Sequence, residues 1–163
     1  MGSALRLRCM TSVYLRRGDR LLLLYRQGSK VANNLWIGAA GGHFEEHELN
    51  DPQACVLREL QEELSVTEDM LSDLRLRYMT LRRTGGEIRQ NYYYFAELRE
   101  DLPLVSTEGT LRWFSPDELP ALEMPFSAKF MMEHYLAIGQ YNDKVYAGVS
   151  DAAQVLFTEL REN

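Results

Sequence analysis

The stretch from Asn50 to Leu64 constrains the fold of this chain more than any other segment. Asn50-Asp51-Pro52 reads as a helix start. Either Asn50 or Asp51 can cap free N–H groups, and Pro52 fits the first turn, where an N–H has no partner. Ala54, Leu57, Leu60 and Leu64 then recur at helical spacing as one apolar stripe, and Ser65 to Asp69 ends the helix. Glu59, Glu62 and Glu63 stand at i, i+3 and i+4, which puts three carboxylates on one face, turned away from that stripe. Like charges this close repel and cost stability unless a cation compensates them. Hard oxygen ligands on a rigid helix suit Mg2+, with Mn2+ the alternative, and such ions usually arrive with substrate phosphates. Arg58 lies one turn before Glu62 and can pair with a carboxylate. An isolated E-x-x-E-E cluster is more often a solvated helix face than a metal site, so the surrounding order of residues decides its meaning.

Strands surround this helix. Leu5 to Leu15 alternates and is rich in β-branched positions, Arg16-Arg17-Gly18-Asp19 is a turn, and Leu21 to Arg26 is a second apolar strand, together a hairpin. From Gln27 to Gly42 the pattern is irregular, with Asn33-Asn34, Gly38, Gly41 and Gly42. Leu74 to Arg83 and Ile88 to Leu98 flank Thr84-Gly85-Gly86-Glu87 as a second hairpin. Arg112-Trp113-Phe114 is a short strand entering Ser115-Pro116-Asp117-Glu118, read as a short capped helix. Ser127 to Ile138 is an amphipathic helix stopped at Gly139, and Lys144 to Tyr146 and Val155 to Phe157 are further strands. This order predicts an α/β (α+β) fold, a mixed sheet packed between helices, rather than a doubly wound parallel sheet. With no linker or repeat, residues 1–163 read as one domain, with 127–163 a C-terminal helix and strand extension.

At the helix the sequence resembles the Nudix hydrolases, whose box is G-x5-E-x7-R-E-U-x-E-E-x-G-U, with U apolar. Gly42-His-Phe-Glu-Glu-His-Glu48 matches G-x5-E, Arg58-Glu59-Leu60-Gln61-Glu62-Glu63 matches R-E-U-x-E-E, and Val66 supplies the last apolar position. Leu21-Leu-Leu-Leu-Tyr-Arg26 and Leu35-Trp36 are similar to elements preceding the box. Trp113 to Leu119 is similar to the W-x-x-x-x-E-L element that follows it, so the resemblance runs from about Met10 to Leu119. Three departures stand out. Nine residues, Leu49 to Leu57, separate Glu48 from Arg58 where the box has seven; Ser65 replaces the final glycine; Ala40 replaces a frequent proline. None removes a ligand, and the extra residues fall before the helix, leaving its register intact.

The resemblance implies a Nudix-like α/β/α sandwich and Mg2+-dependent hydrolysis of a diphosphate bridge in a nucleoside diphosphate linked to X. It places the metal on Glu59, Glu62, Glu63 and the Gly42 carbonyl, and makes Glu48 and Arg58 structural support. A further acidic residue from a later loop is best matched by Glu108. The leading substrate is a nucleoside triphosphate, oxidised ones included as in the MutT-like branch, cleaved to NMP and pyrophosphate. The alternatives are a dinucleoside polyphosphate or nucleotide-sugar hydrolase, or a Nudix-fold nucleotide sensor without turnover. Complete box carboxylates weigh against the sensor.

Other residues carry less. Arg26 ends a strand aimed at the box loop and is a candidate phosphate contact. Tyr92 to Phe95 reads as core, with base stacking the alternative. The resemblance implies that Leu122 to Phe126 occupies the place where related NTP hydrolases often read the base edge. His43 and His47 read as polar loop residues, since Mg2+ prefers oxygen. Cys55, without a visible activating base, reads as structural.

Charge sharpens the exclusions. Eighteen Lys and Arg against 24 Asp and Glu give a net charge of −6, which argues against binding duplex nucleic acid or an anionic membrane through charge. No apolar run is long enough to span a bilayer, and Met1 to Arg6 shows neither a secretory h-region nor a myristoylation pattern. The two cysteines, Cys9 and Cys55, make no framework. These features predict a cytoplasmic, reduced protein; the resemblance implies a small nucleotide as its substrate, with homodimerisation left open.

Overall fold

The computed structural model describes residues 4–27 and 34–162. Met1 to Ser3 and Asn33, both part of the sequence reading, lie outside the described residues. The predicted first hairpin is β1 (Arg6–Arg17) and β2 (Arg20–Arg26), turned at Gly18 with φ +62°, a left-handed conformation that costs glycine little. Two short strands, β3 (Leu35–Gly38) and β4 (Ala40–His43), lead to α1 (Pro52–Leu64). A long hairpin follows, β5 (Leu71–Thr84) and β6 (Glu87–Leu98), then β7 (Gly109–Phe114), α2 (Phe126–Ala137), β8 (Val145–Ser150) and β9 (Val155–Leu160).

The strands form one mixed sheet in the order β3-β2-β1-β6-β5-β8-β9, with β4 added to β1 and β7 to β2. β1 runs parallel to β6 from Arg6↔Glu87 to Arg16↔Glu97, and β5 runs parallel to β8. A helix covers each face. On the α1 side Val13, Leu15, Leu22, Tyr94, Ala96 and Leu98 meet Val56, Leu60 and Leu64. On the α2 side Tyr14, Leu23, Tyr78, Tyr93 and Phe95 meet Met131, Met132 and Tyr135. Central strands buried on both faces lose the apolar/polar alternation of a half-exposed strand. Val13-Tyr14-Leu15 and Tyr93-Tyr94-Phe95 are therefore buried without a break. The fold is the α/β/α sandwich with a mixed sheet that the sequence predicts, and the tyrosine run is core.

Three local expectations are corrected. The buried stripe of α1 is Val56, Leu60 and Leu64 beside Cys55, while Leu57 is only half-buried, because the sheet lies slightly around the helix from the expected face. Glu59 does not point away from the core but is 9% exposed against it. Ser115 to Glu118 is a turn leading into a single 3-10 turn at Leu119–Ala121, because Pro120 halts propagation. The Glu118 carboxylate accepts from the Ser115 N–H at 3.0 Å and its hydroxyl at 3.1 Å, satisfying the turn locally.

Candidate active site

β1 and β2 pair only near their turn, from Leu15↔Leu22 to Arg17↔Arg20. Beyond it they part, and β4 fills the gap along β1, with Thr11↔Gly42 and Ser12↔Gly41. This brings the Gly41-Gly42 backbone against α1. A Cβ on Gly42 would lie 2.5 Å from the Glu59 Oε1, so glycine is what lets the carboxylate approach. On Gly41 (φ +153°), the N–H donates to Glu63 Oε2 at 3.3 Å, and a Cβ would strike the Thr11 carbonyl at 2.2 Å.

The helix that presents these carboxylates is fixed at both ends. Of the two candidate caps, Asp51 does the work, its side chain accepting from the Ala54 N–H at 3.2 Å. At the other end Ser65 adopts φ +54°, the left-handed conformation for which the Nudix box favours glycine.

Arg58 organises the near side of the site. Its Nε and Nη2 donate to the two oxygens of Glu48, each at 2.9 Å, and Nη2 also donates to the His43 carbonyl at 3.1 Å. Nη1 donates to Glu59 at 2.9 Å and Glu62 at 3.2 Å. Glu48 is 1% exposed, and the Arg58 hydrogen bonds hold its carboxyl down to about 2. The pair closes despite the two extra residues between Glu48 and Arg58.

Glu48, Glu59 and Glu62, with Glu45 at 3.7 Å, thus share one guanidinium, and Glu63 makes no ion pair with it. The shortfall falls on Glu63, whose carboxyl is pushed up to about 8 by burial, then by the Glu59 carboxylate beside it, with a smaller push from Glu108. Glu62 stands at the rim, with its side chain 56% exposed. Cys55, fully buried, lies 3.2 Å from the Thr11 hydroxyl; burial pushes its thiol up to about 11, which leaves it inert.

Glu108 and Arg26 meet across the β2–β7 pairing, where Arg26 opposes Gly109, and their side chains lie 3.7 Å apart. The approach needs Gly109, since a Cβ there would lie 2.2 Å from the Tyr25 carbonyl. The loop Leu122 to Phe126 is tied to β3 by the Trp36 N–H donating to the Glu123 carbonyl at 2.8 Å. Sequence reasoning missed one cluster, Glu45, His47 and Glu48, whose ligand atoms lie within 4.8 Å of one another. It can hold a cation only by displacing Arg58 from Glu48, so the Glu59–Glu63 side is the better seat. Its signal was the Glu45-x-His47-Glu48 spacing itself.

The NUDIX domain family model matches residues 7–134, and the chain belongs to that family. The enzyme class this defines is the Nudix-type pyrophosphohydrolase. The fold is similar to that of a MutT protein from Bacillus halodurans, at 22% identity and TM-score 0.64 over 93% of this chain and 97% of that one. It is also similar to the dihydroneopterin triphosphate pyrophosphohydrolase of E. coli, at 18% identity and TM-score 0.61 over 83% and 99% of the two chains. A C. elegans Ap4A hydrolase matches at 14% identity and TM-score 0.64 over 85% and 100%. No curated protein matches the sequence. Among the described residues no helix is long and apolar enough to cross a membrane.

Proposed function

We propose that this protein hydrolyses the diphosphate bridge of a nucleoside triphosphate, oxidised ones included, releasing NMP and pyrophosphate with the help of Mg2+. The observation that carries the reading is the pair Glu59–Glu63, two carboxylates forced together against the Gly41-Gly42 backbone, with Glu63 held at about 8. Such a site stores unfavourable charge that a divalent cation relieves, and its donors are all oxygen, which fits Mg2+ or Mn2+. Glu59, Glu62, Glu63 and the Gly42 carbonyl would hold the ion. When bound, it supplies charge neutralisation on the phosphates and a bound water of lowered pKa. The chain's own residues do the rest. Arg58 fixes Glu59 and Glu62 in place, and the Glu48 clamp fixes Arg58. Glu63, or Glu108 from across the site, orients the attacking water and takes its proton. Arg26 beside Glu108 contacts a phosphate.

The named activities of the dihydroneopterin triphosphate pyrophosphohydrolase and the Ap4A hydrolase support a polyphosphate substrate in general, not one compound. The test is a panel of nucleoside triphosphates, dinucleoside polyphosphates and nucleotide sugars with Mg2+, resolving pyrophosphate from orthophosphate. Pyrophosphate release from a triphosphate is expected. No divalent-dependent turnover of any nucleotide would reject the enzyme reading in favour of the sensor.

A further inference from the structure

On the α2 face of the sheet, beyond the end of α2, three arginines stand in one rank across three neighbouring strands. Arg8 of β1 is the register partner of Arg89 of β6, which is in turn the partner of Arg82 of β5. Adjacent strands lie about 4.8 Å apart, so these residues are direct neighbours on one face. Like charges directly opposite one another destabilise a sheet. One carboxylate, Glu87, answers two of them, 3.3 Å from Arg8 and 3.4 Å from Arg89. Arg82 lies over the Phe126 ring at 4.1 Å, and no carboxylate pairs with it among the described residues. In a chain of net charge −6, an arginine rank with so little compensation is a local reversal of sign.

Its position connects it to the acidic site. Arg8 Nη2 donates to His43 Nε2 at 2.8 Å, and His43 follows Gly42, the residue against which Glu59 packs. Among the described residues β4 pairs with β1 alone, and no strand covers its other edge, where the Gly41 N–H meets Glu63. Glu59 and Glu63 thus lie on one side of β4, against Gly41 and Gly42, and His43 with Arg8 lies on the other.

We propose that Arg8, Arg89 and Arg82 form an anion seat for phosphates of the substrate other than the bridge that is cleaved. This inference rests on the proposed hydrolysis of a diphosphate bridge and adds the residues that seat the substrate's further phosphates, either a terminal phosphate or the inner phosphates of a longer chain. Planar guanidinium groups suit phosphate oxygens, and the rank is assembled on rigid strands before any ligand arrives.

The test separates this seat from catalysis by probing it without metal. Inorganic tripolyphosphate is titrated calorimetrically into the folded protein in the presence of a chelator, at low and high salt. Wild type is expected to bind, and more weakly at high salt. Arg89→Gln should bind at least tenfold more weakly, Arg89→Lys should recover much of the loss, and the distant Arg161→Gln should match wild type. Arg89→Gln should melt no lower than wild type, because it relieves like-charge repulsion. In turnover assays, Arg89→Gln should raise KM at least tenfold for a triphosphate and less than twofold for a nucleotide sugar, with kcat little changed. A matching rise for a dinucleoside tetraphosphate would assign the seat to inner phosphates; a rise confined to the triphosphate would assign it to a terminal one. Failure of wild type to bind tripolyphosphate, equal binding by Arg89→Gln, or an equal loss in Arg161→Gln would overturn the proposal. Absence of all nucleotide turnover with tripolyphosphate binding intact would instead reject the hydrolase reading and leave the seat standing.

Discussion

Glu48 and Glu63 are carboxylates of one site, both linked to α1, yet they stand at opposite ends of the acid scale. Glu48 is held down to about 2 and Glu63 pushed up to about 8. Burial raises both and is the first cause of the rise at Glu63, although Glu48 is the more completely enclosed. What separates them is whether a cation answers that burial. Glu48 faces both prongs of a guanidinium, whereas Glu63 faces another carboxylate and one backbone N–H. A clamp whose charges are satisfied holds the fold, and a pair whose charges are not satisfied waits for a ligand. On the proposed function the box divides into a structural half and a chemical half, and each can be broken separately.

The largest effect is expected on the chemical half. Glu63→Gln or Glu62→Gln removes charge at nearly constant shape and should lower kcat on the order of a hundredfold or more. Glu63→Gln should leave the melting temperature equal or higher, because it relieves the repulsion with Glu59. Steady-state kinetics beside a thermal melt would check both, and a mild kinetic effect of both changes would reject the assigned face.

Glu108 extends the chemical half across the sheet. Glu108→Gln should lose at least roughly tenfold in kcat, as for a general-base or water-orienting group, while Glu100→Gln retains activity and both melt like wild type. Full activity of Glu108→Gln at saturating Mg2+ would leave the helix carboxylates to act alone.

The structural half should fail differently. Glu48→Gln strips Arg58 of its bidentate partner and should cost on the order of 2–3 kcal/mol, or several degrees of melting temperature. Because the folded Glu48 carboxyl lies below its ordinary value of 4.5, its contribution is present above that value and fades as pH falls toward about 2. The variant should therefore show a shallower loss of stability over that acid range. An unchanged acid limb in the melting curves would mean that the clamp is not what resists acid.

Glu63 gives the opposite sign. Its folded carboxyl lies above the ordinary value, so the metal-free protein loses this contribution as pH rises from about 4.5 through about 8. A cation must displace that proton, so Mg2+ affinity should rise with pH over the same window and level off above it, with proton release detectable by calorimetry in buffers of different ionisation enthalpy. In Glu63→Gln this pH dependence should vanish.

What the sequence made legible follows the same division. The box helix, its cap, both hairpins and the mixed sheet depend on local pattern and could be read from it. The Arg58–Glu48 pair followed from the family resemblance. The inward placement of Glu59 could not be read, because it depends on Gly42 lacking a Cβ at a contact between residues far apart in sequence. Nor could the rank Arg8–Arg89–Arg82, which exists only once three strand registers are fixed. Helical spacing also misplaced Leu57, since the angle at which the sheet meets α1 is a tertiary property.

The smallest effect is expected where the sequence departs from the box at Ser65. It is exposed, and its backbone sits at φ +54°, where a Cβ crowds the following carbonyl. Its N–H already closes the helix by donating to the Gln61 carbonyl at 3.1 Å, a bond that glycine would keep. Ser65→Gly removes the conformational strain, worth about 1–2 kcal/mol for a non-glycine residue. Against that stands the added freedom of glycine in the unfolded chain, worth about 0.4–1 kcal/mol. The difference favours the variant by about 0–1.6 kcal/mol, which for a domain of this size is a rise of at most about 3–6 °C in melting temperature. Activity should not change, because neither Glu59 nor Glu63 contacts Ser65 and α1 keeps its register. A fall in kcat with the melting temperature raised would show that the end of α1 positions the chemical half, and that the division drawn between Glu48 and Glu63 does not extend to the helix terminus.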